Sequence, residues 1–296
     1  MRRLRLITVC LCLPVLLSAC GGGGNPRPDL IFASTRDGDY AVYAMNADGG
    51  RQKRLTKADV DTSSPAGIFF QTDPAWSPNG ADIAFSSKRS GRSAIYVMRA
   101  DGTGTKQLTA GADDIHPTWS PDGKRLAFER TQKIYAMGAD GNDVHIVSKG
   151  AANDGDPAWS PDGKWIAFVR KQPGSVEREI WIMRPDGSDS RRVTTLHGSS
   201  INPAWSPDGS KLAFASDIAG SLYDLYVVDV DGKPVRRLTR SGPDTFEPAW
   251  SPDGTTIAFT QDGAIWTVDL EAKSSRLTDP ANNDSSPVWN PQQPPG

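Results

Sequence analysis

The sequence contains little cysteine, and all of it lies at one end. The three cysteines of the 296-residue chain fall within its first twenty residues, at Cys10, Cys12 and Cys20. The remaining sequence therefore cannot form a disulfide, a zinc–thiolate site or a thiol nucleophile. Whatever folds after residue 20 must therefore be stabilised without disulfides or thiolate ligands.

Strong charge and several catalytic motifs are also missing. The formal net charge is −2 and 37% of the residues are hydrophobic, which is an ordinary soluble composition. The sequence has no excess of basic residues of the kind that would indicate nucleic acid as a partner. The sequence has no Gly-x-Ser-x-Gly elbow, no P-loop and no EF-hand pattern. A serine hydrolase, a P-loop nucleotidase and an EF-hand protein are thereby disfavoured.

The N-terminal segment is typical of an export signal. Three arginines at positions 2, 3 and 5 precede the apolar run "LITVCLCLPVLL", which is too short to span a bilayer as a helix. "LSAC" (17–20) resembles the lipobox of bacterial lipoproteins, in which the chain is cut before a cysteine that is then acylated. We therefore expect a signal peptide at 1–19, a lipid attached to Cys20 and a glycine-rich tether to residue 29.

This resemblance also implies a location. A lipidated Cys20 would place the protein on the extracytoplasmic side of a membrane. Gly21 follows the anchor cysteine in place of the aspartate that retains enterobacterial lipoproteins at the inner membrane. In a Gram-negative cell the outer membrane is therefore favoured. A plain secretory peptide that happens to contain cysteine is the alternative.

The rest of the chain is a repeat marked by tryptophan. The phrase "PAWSPDG", or a close variant, recurs at intervals of 39 to 46 residues, with its tryptophan at positions 76, 119, 159, 205, 250 and 289. This period is typical of propeller blades with four strands each. Proline and glycine in "SPDG" favour a tight turn. We expect the proline before each tryptophan to mark the start of the inner strand, since proline cannot donate to a ladder.

Three further strand patterns follow each turn. An alternating segment such as "IAF" is followed by one such as "IYVM" and then by a short segment ending in "LT". Residues 30–56 supply these three strands without a tryptophan strand, whereas "SSPVWN" (285–290) is a tryptophan strand with nothing after it. The sequence therefore predicts an all-β propeller over 30–296. It has six blades of four antiparallel strands, closed by pairing of the C-terminal strand with the N-terminal blade.

These repeats resemble the propeller of the TolB-like family. "PAWSPDG", "IAF", "IYVM", "ADGG" and "RRLT" occur in this order, blade after blade, over residues 30–290. The resemblance implies a six-bladed fold and, by analogy only, an envelope role in the Tol-Pal system. TolB-like proteins of the best-known type carry an α/β domain before the propeller, where this sequence predicts only a tether.

One position of the repeat is predicted to form a ring. Three residues before the successive tryptophans, sixfold pseudosymmetry places one side chain per blade at a single mouth of the channel: Asp73, His116, Asp156, Asn202, Glu247 and Ser286. Such a ring, rich in oxygen and largely acidic, could bind a basic peptide or a cation. Calcium is the candidate ion, with Asp73, Asp156 and Glu247 as its candidate ligands. The alternative is that these residues cap the inner strands and bind water.

A long connection (57–73) is expected on the same face. It carries three consecutive large apolar residues, Ile68, Phe69 and Phe70, in a segment that no strand pattern includes. They either fold over the channel as a plug or contact a partner. The basic pairs at 53–54, 191–192 and 236–237 are expected on outermost strands, where such residues prevent edge-to-edge pairing.

Two functional hypotheses remain. The first is a monomeric, lipid-anchored scaffold without cofactor or catalysis, which binds an envelope protein or peptide through the channel face. The second is a propeller enzyme or receptor for envelope or plant-type saccharides, lyase-like or hydrolase-like. A related lyase family uses a histidine-rich metal site, but His116, His145 and His197 occupy non-equivalent positions of their repeats, so a histidine cluster is not expected.

Overall fold

The computed structural model describes residues 28–57, 73–240 and 242–292, and within them the chain is almost entirely β-structure. These residues form twenty-four strands and one short 3-10 helix (Pro280–Asn282). The strands make six separate four-stranded sheets in which all neighbours are antiparallel. The predicted all-β, six-bladed propeller is confirmed.

The blades follow one another along the chain. Blade 1 contains β1 (Leu30–Ser34), β2 (Ala41–Met45) and β3 (Lys53–Arg54); blade 2 contains β4 (Ala75–Trp76), β5 (Asp82–Ser87), β6 (Ala94–Arg99) and β7 (Lys106–Gln107). Blade 3 contains β8 (Asp114–Trp119), β9 (Arg125–Arg130), β10 (Lys133–Gly138) and β11 (His145–Ile146); blade 4 contains β12 (Asn153–Trp159), β13 (Ile166–Lys171), β14 (Glu179–Met183) and β15 (Arg191–Arg192). Blade 5 contains β16 (Ser200–Trp205), β17 (Lys211–Ser216), β18 (Asp224–Asp229) and β19 (Val235–Arg237); blade 6 contains β20 (Thr245–Trp250), β21 (Thr256–Gln261), β22 (Ala264–Asp269) and β23 (Ser274–Arg276). The last strand, β24 (Asp284–Trp289), returns to blade 1.

Ring closure joins the two ends of the described chain. β24 pairs antiparallel with β1, so that Leu30 lies opposite Trp289 and Ser34 opposite Asp284. The guanidinium of Arg36 donates to both carboxylate oxygens of Asp284, at 2.8 and 2.7 Å. The predicted closure by the C-terminal strand is confirmed, and it covers an edge that β1 would otherwise expose.

The "SPDG" turn is held by its own side chains. In blade 3, Ser120 donates its hydroxyl to Asp122 at 2.6 Å and accepts the amide of Arg125 at 2.9 Å. Gly123 has a φ of 69°, which glycine adopts without the strain that a Cβ would introduce. This network allows the inner strand to reverse tightly into the second strand.

The expected start of the inner strand was wrong. Pro117, for example, is the fourth residue of β8, not the first. Ahead of it the pairing of β8 with β9 shifts register between Ile115 and Thr118, which marks a β-bulge. The inner strand is an edge of its sheet and the ladder is interrupted at the bulge, so the missing N–H of proline is tolerated there.

The core lies between the blades. The phenylalanine of each second strand is at most 1% exposed, as the set Phe32, Phe85, Phe128, Phe168, Phe214 and Phe259. Trp205 packs with Ala167 and Ile180 of the preceding blade and donates its indole N–H to the Ala158 carbonyl at 3.0 Å. Each inner-strand tryptophan thus contributes to the contact between adjacent blades.

The edges and termini add two observations. The basic pairs predicted for outermost strands lie on β3, β15 and β19, as expected. Among the described residues, no helix has the length and apolar character needed to cross a bilayer. The predicted signal peptide, Cys20, most of the predicted tether and the apolar triplet at 68–70 lie outside the described residues.

Candidate binding site at the channel mouth

A central cavity of about 400 Å³ runs between the inner strands. Every blade contributes to its wall the same four-residue stretch, from the ring position to the tryptophan. The structure therefore brings together all six residues of the predicted ring: Asp73, His116, Asp156, Asn202, Glu247 and Ser286. Their role in binding stays a prediction.

All six ring residues have the same unusual backbone. Their φ angles lie between 27° and 55°, in the left-handed region that non-glycine residues seldom adopt. Each precedes a proline, which ordinarily favours an extended conformation. In the five blades where the pairing is described across this point, the ring position falls within the β-bulge of the inner strand. The bulge brings one side chain per blade to the cavity wall.

Hydrogen bonds connect ring residues of successive blades. Asp156 accepts the side-chain amide of Asn202 at 3.1 Å. Asn202 accepts the backbone N–H of Glu247 at 3.4 Å, and Glu247 accepts the backbone N–H of Ser286 at 2.7 Å. Each side chain thus positions the bulge of the next blade. The ring is a connected polar network over this half of the channel.

The other half of the ring is centred on His116. Its Nδ1 lies 3.1 Å from Oδ1 of Asp156 and 3.3 Å from Oε2 of Glu129, while its Nε2 lies 3.6 Å from Oδ1 of Asp73. Burial by itself would lower the pKa of His116, but the carboxylates of Asp73, Asp156 and Glu129 outweigh it and raise that pKa well above its ordinary value. The three carboxylates therefore favour the protonated form of His116 against the effect of burial.

Burial has the opposite consequence for the carboxyl groups. Desolvation raises the pKa of Asp156, although the positive charge of His116 opposes the shift. Desolvation also raises the pKa of Glu247, against the hydrogen bond that Thr260 donates to it at 2.8 Å. Burial thus disfavours the anionic form of both acids, and a cationic group entering the cavity would offset that penalty.

Glu129 is a site residue that sequence reasoning missed. It lies on β9, directly after the buried Phe128, and its carboxylate also accepts the backbone N–H of Asp156 at 3.3 Å. The sequence did contain an indication of this residue. The other blades carry no ionisable side chain at the equivalent position, which is occupied by Ala33, Ser86, Val169, Ala215 and Thr260. A glutamate at a position otherwise occupied by small, hydroxyl or apolar residues departs from the repeat.

The three predicted cation ligands, Asp73, Asp156 and Glu247, do not form one cluster among the described residues. Within the described residues, the group of metal-ligating side chains that lies close together is His116, Glu129 and Asp156, with ligand atoms within 4.8 Å of one another. Asp156 thus has neighbours other than the predicted Asp73 and Glu247. The other two histidines are elsewhere, because His145 is exposed on β11 and His197 lies between β15 and β16.

A second cavity, of about 360 Å³, adjoins the ring between blades 3 and 4. His116, Glu129 and Asp156 line this second cavity together with Lys171 and Arg178. His116 and Asp156 also line the central cavity. The cluster around His116 is therefore reached from two cavities.

Comparison with known proteins identifies the repeat. A family model described as the TolB beta propeller domain matches residues 62–176, 112–197 and 144–294. The chain belongs to the TolB beta-propeller family. The predicted family resemblance is thereby confirmed.

Curated relatives and solved structures agree with this assignment. The Tol-Pal system protein TolB of Desulfosudis oleivorans is 30% identical over 143 residues, which are 47% of this chain and 30% of that protein. A TolB homolog of Chlorobium luteolum is 34% identical over 141 residues, again 47% of this chain and 30% of the relative. The chain thus matches less than a third of the length of either relative. The crystal structure of TolB from Acinetobacter baumannii superposes with a TM-score of 0.75 at 22% identity, over 89% of this chain and 67% of that one, and shares the fold.

Proposed function

We propose that this TolB-family propeller is a non-catalytic scaffold of the cell envelope that binds a basic segment of another protein through its channel mouth. The observation that carries the proposal is the ring itself. Structural positions of the repeat keep their residue type, as the tryptophan and proline do, whereas the ring position differs from blade to blade. A position that is strained in every blade and yet varied in chemistry is suited to recognition.

The charge of the ring indicates the chemistry of the partner. Asp73, Asp156, Glu247 and the adjoining Glu129 face the cavity region, and His116 is the one basic residue of the ring. Burial destabilises the anionic form of these acids. A lysine or arginine side chain that enters the mouth would stabilise that form by its positive charge. The relatives named as Tol-Pal system proteins support an envelope protein as the source of such a segment.

We further propose that Cys20 carries a lipid, which would place the propeller on the extracytoplasmic face of a membrane. Leu30 pairs with Trp289, at the end of β24 away from the ring residue Ser286. The predicted tether would therefore join the propeller on the side of the "SPDG" turns, opposite the ring. A lipid at Cys20 would leave the ring mouth accessible to a partner.

The test is a crosslinking pull-down from native envelope with the full-length lipoprotein. Glu247→Gln removes a ring charge but keeps an acceptor for Ser286, and a Phe69→Ser/Phe70→Ser variant removes apolar groups of the 57–73 connection. Asp140→Asn is the matched control, because Asp140 is exposed on the turn face. We expect one partner to be enriched by the wild type and Asp140→Asn, and lost with Glu247→Gln.

Three other results would contradict binding of a partner through the ring. Equal capture by Glu247→Gln and wild type would exclude the ring as the binding surface. Turnover of an envelope saccharide that disappears in Glu247→Gln would instead support the enzyme hypothesis. Loss of capture only in the double serine variant would move the binding surface to the connection before blade 2.

A further inference from the structure

The cluster around His116 has the spacing of a metal site. Three donor atoms converge between blades 3 and 4: Nδ1 of His116, Oε2 of Glu129 and Oδ1 of Asp156. The nitrogen lies 3.3 and 3.1 Å from the two oxygens. Ligand bonds of about 2.1 Å at tetrahedral angles separate neighbouring ligand atoms by about 3.4 Å. The two nitrogen–oxygen spacings are thus close to those of ligands arranged around one small ion.

A second contact, on the far side of the imidazole, also fits a ligating histidine. Nε2 of His116 faces Oδ1 of Asp73 at 3.6 Å. A ligating histidine usually directs its other ring nitrogen to a carboxylate, which fixes the tautomer and the ring orientation. Asp73 is 9% exposed and receives the Ser86 hydroxyl at 3.0 Å, so it is itself held in place. Nδ1 of His116 is thereby directed at the two remaining carboxylates.

The backbone builds this arrangement in one place only among the described blades. Bulges at His116 and Asp156 bring both side chains to the channel, and β9 supplies Glu129 beside them. Gly155 precedes Asp156, and a Cβ there would overlap the Glu129 carboxylate. Glutamate at 129, histidine at 116 and glycine at 155 therefore form a matched set.

We propose that His116, Glu129 and Asp156 bind one first-row divalent transition-metal ion of the zinc class, with Asp73 orienting the imidazole. One imidazole nitrogen with two carboxylates favours such an ion, because calcium prefers an all-oxygen shell of six to eight ligands. The adjoining cavity of about 360 Å³ gives water and ions access to the remaining coordination positions. The site does not depend on the proposed protein partner.

The test uses the full chain, stripped of metal with a chelator and then dialysed against Zn²⁺ alone. His116→Asn copies Asn202 and Glu129→Thr copies Thr260, residues that the same positions of other blades already hold. Asp140→Asn is the matched control, because it removes an exposed carboxylate outside the cluster and outside the ring. We expect one Zn²⁺ per chain in the wild type and in Asp140→Asn, and an affinity loss of at least about tenfold in the other two variants.

Co²⁺ absorption and histidine NMR give a readout that does not depend on the variants. Binding through Nδ1 should shift the ring resonances of His116 in the wild type and leave those of the exposed His145 unchanged. The proposal is overturned if the wild type binds no Zn²⁺, if Ca²⁺ competes equally with it, or if Asp140→Asn loses as much affinity as Glu129→Thr. Unaltered Zn²⁺ binding by a folded His116→Asn would also overturn it.

Discussion

The inner-strand tryptophans show how one residue type joins two blades. Trp119 donates its indole N–H to the Ala75 carbonyl at 3.2 Å, and Trp205 donates to Ala158 at 3.0 Å, in each case across the boundary to the preceding blade. The indole of Trp205 is buried and packs against aliphatic side chains of the preceding blade, so removing it would leave a cavity between the two blades.

Replacing Trp205 by alanine should lower the free energy of unfolding by about 3 to 5 kcal/mol, because the loss of transfer energy and the new cavity add. Chemical denaturation followed by circular dichroism measures it. The control is Trp165→Ala, since Trp165 is only partly buried and stacks under the Arg184 guanidinium at 4.0 Å. If both variants lose the same free energy, Trp205 has no special role between blades.

His116 makes stability depend on pH in a defined direction. Its pKa is raised in the folded chain by Asp73, Asp156 and Glu129, so the folded state binds the proton more tightly than the unfolded one. The resulting stabilisation is fully present below the unfolded value of about 6.5 and is lost as the pH rises through the folded value. The raised pKa values of Asp156 and Glu247 act in the same direction at lower pH.

We therefore expect the melting temperature, measured in chelator, to fall as the pH rises above about 6.5. His116→Asn should flatten this slope, whereas His145→Asn, which alters an exposed histidine, should retain it. A wild-type melting temperature that rises over the same interval would show that the imidazolium is not stabilised by its neighbours.

At the scale of the strand, Gly155 of β12 leaves room for the Glu129 carboxylate of the preceding blade. A Cβ at this position would displace the Glu129 carboxylate from the Asp156 amide and from His116. The second strand of one blade and the inner strand of the next are thus fitted to each other at a single residue pair.

Gly155→Ala should cost roughly 1 to 2 kcal/mol of unfolding free energy, because it overcrowds the site and breaks a charge-assisted hydrogen bond. Combining it with Glu129→Ser, which copies Ser86, should recover most of the loss of Gly155→Ala. A double-mutant cycle by denaturant titration checks the coupling. Simple additivity of the two changes would mean that Gly155 and Glu129 do not interact.

Local patterns determined how much of this architecture the sequence could predict. The Trp, "SPDG" and "IAF" segments are contiguous and repeat, so the blades, their closure and the ring position followed from them. Glu129 was missed because it meets His116 only across a strand pair and Asp156 only across a blade boundary. The start of the inner strand was missed because the bulge, which tolerates Pro117, is a property of the paired sheet.

For the whole molecule, one buried ion pair joins the first described strand to the last. Asp284 is fully buried, and Arg36 both binds it and stacks over Phe32 and Tyr43, with its guanidinium carbon 5.2 and 4.8 Å from the two ring centres. Equivalent pairs within single blades join Arg130 to Asp114 and Arg170 to Asp154.

Arg36→Ala should destabilise the chain by about 3 to 5 kcal/mol, because it leaves a buried carboxylate without its counter-ion. Hydrogen exchange should accelerate first in β24 and β1. The control is Arg192→Ala, whose partly exposed pair with Glu179 should be worth less than about 1 kcal/mol. Uniform acceleration over all blades, without preference for β24, would contradict a closure role for Arg36.

Closure by β24 also sets the order in which the chain can be completed. During synthesis, blades 2 to 6 have all their strands before β24 emerges, while β1 waits with an unpaired edge. The first blade is then the last to be finished, and a chain halted before residue 284 would present β1 to any strand of another molecule. The connectivity of the propeller thus makes blade 1 the last blade to be completed.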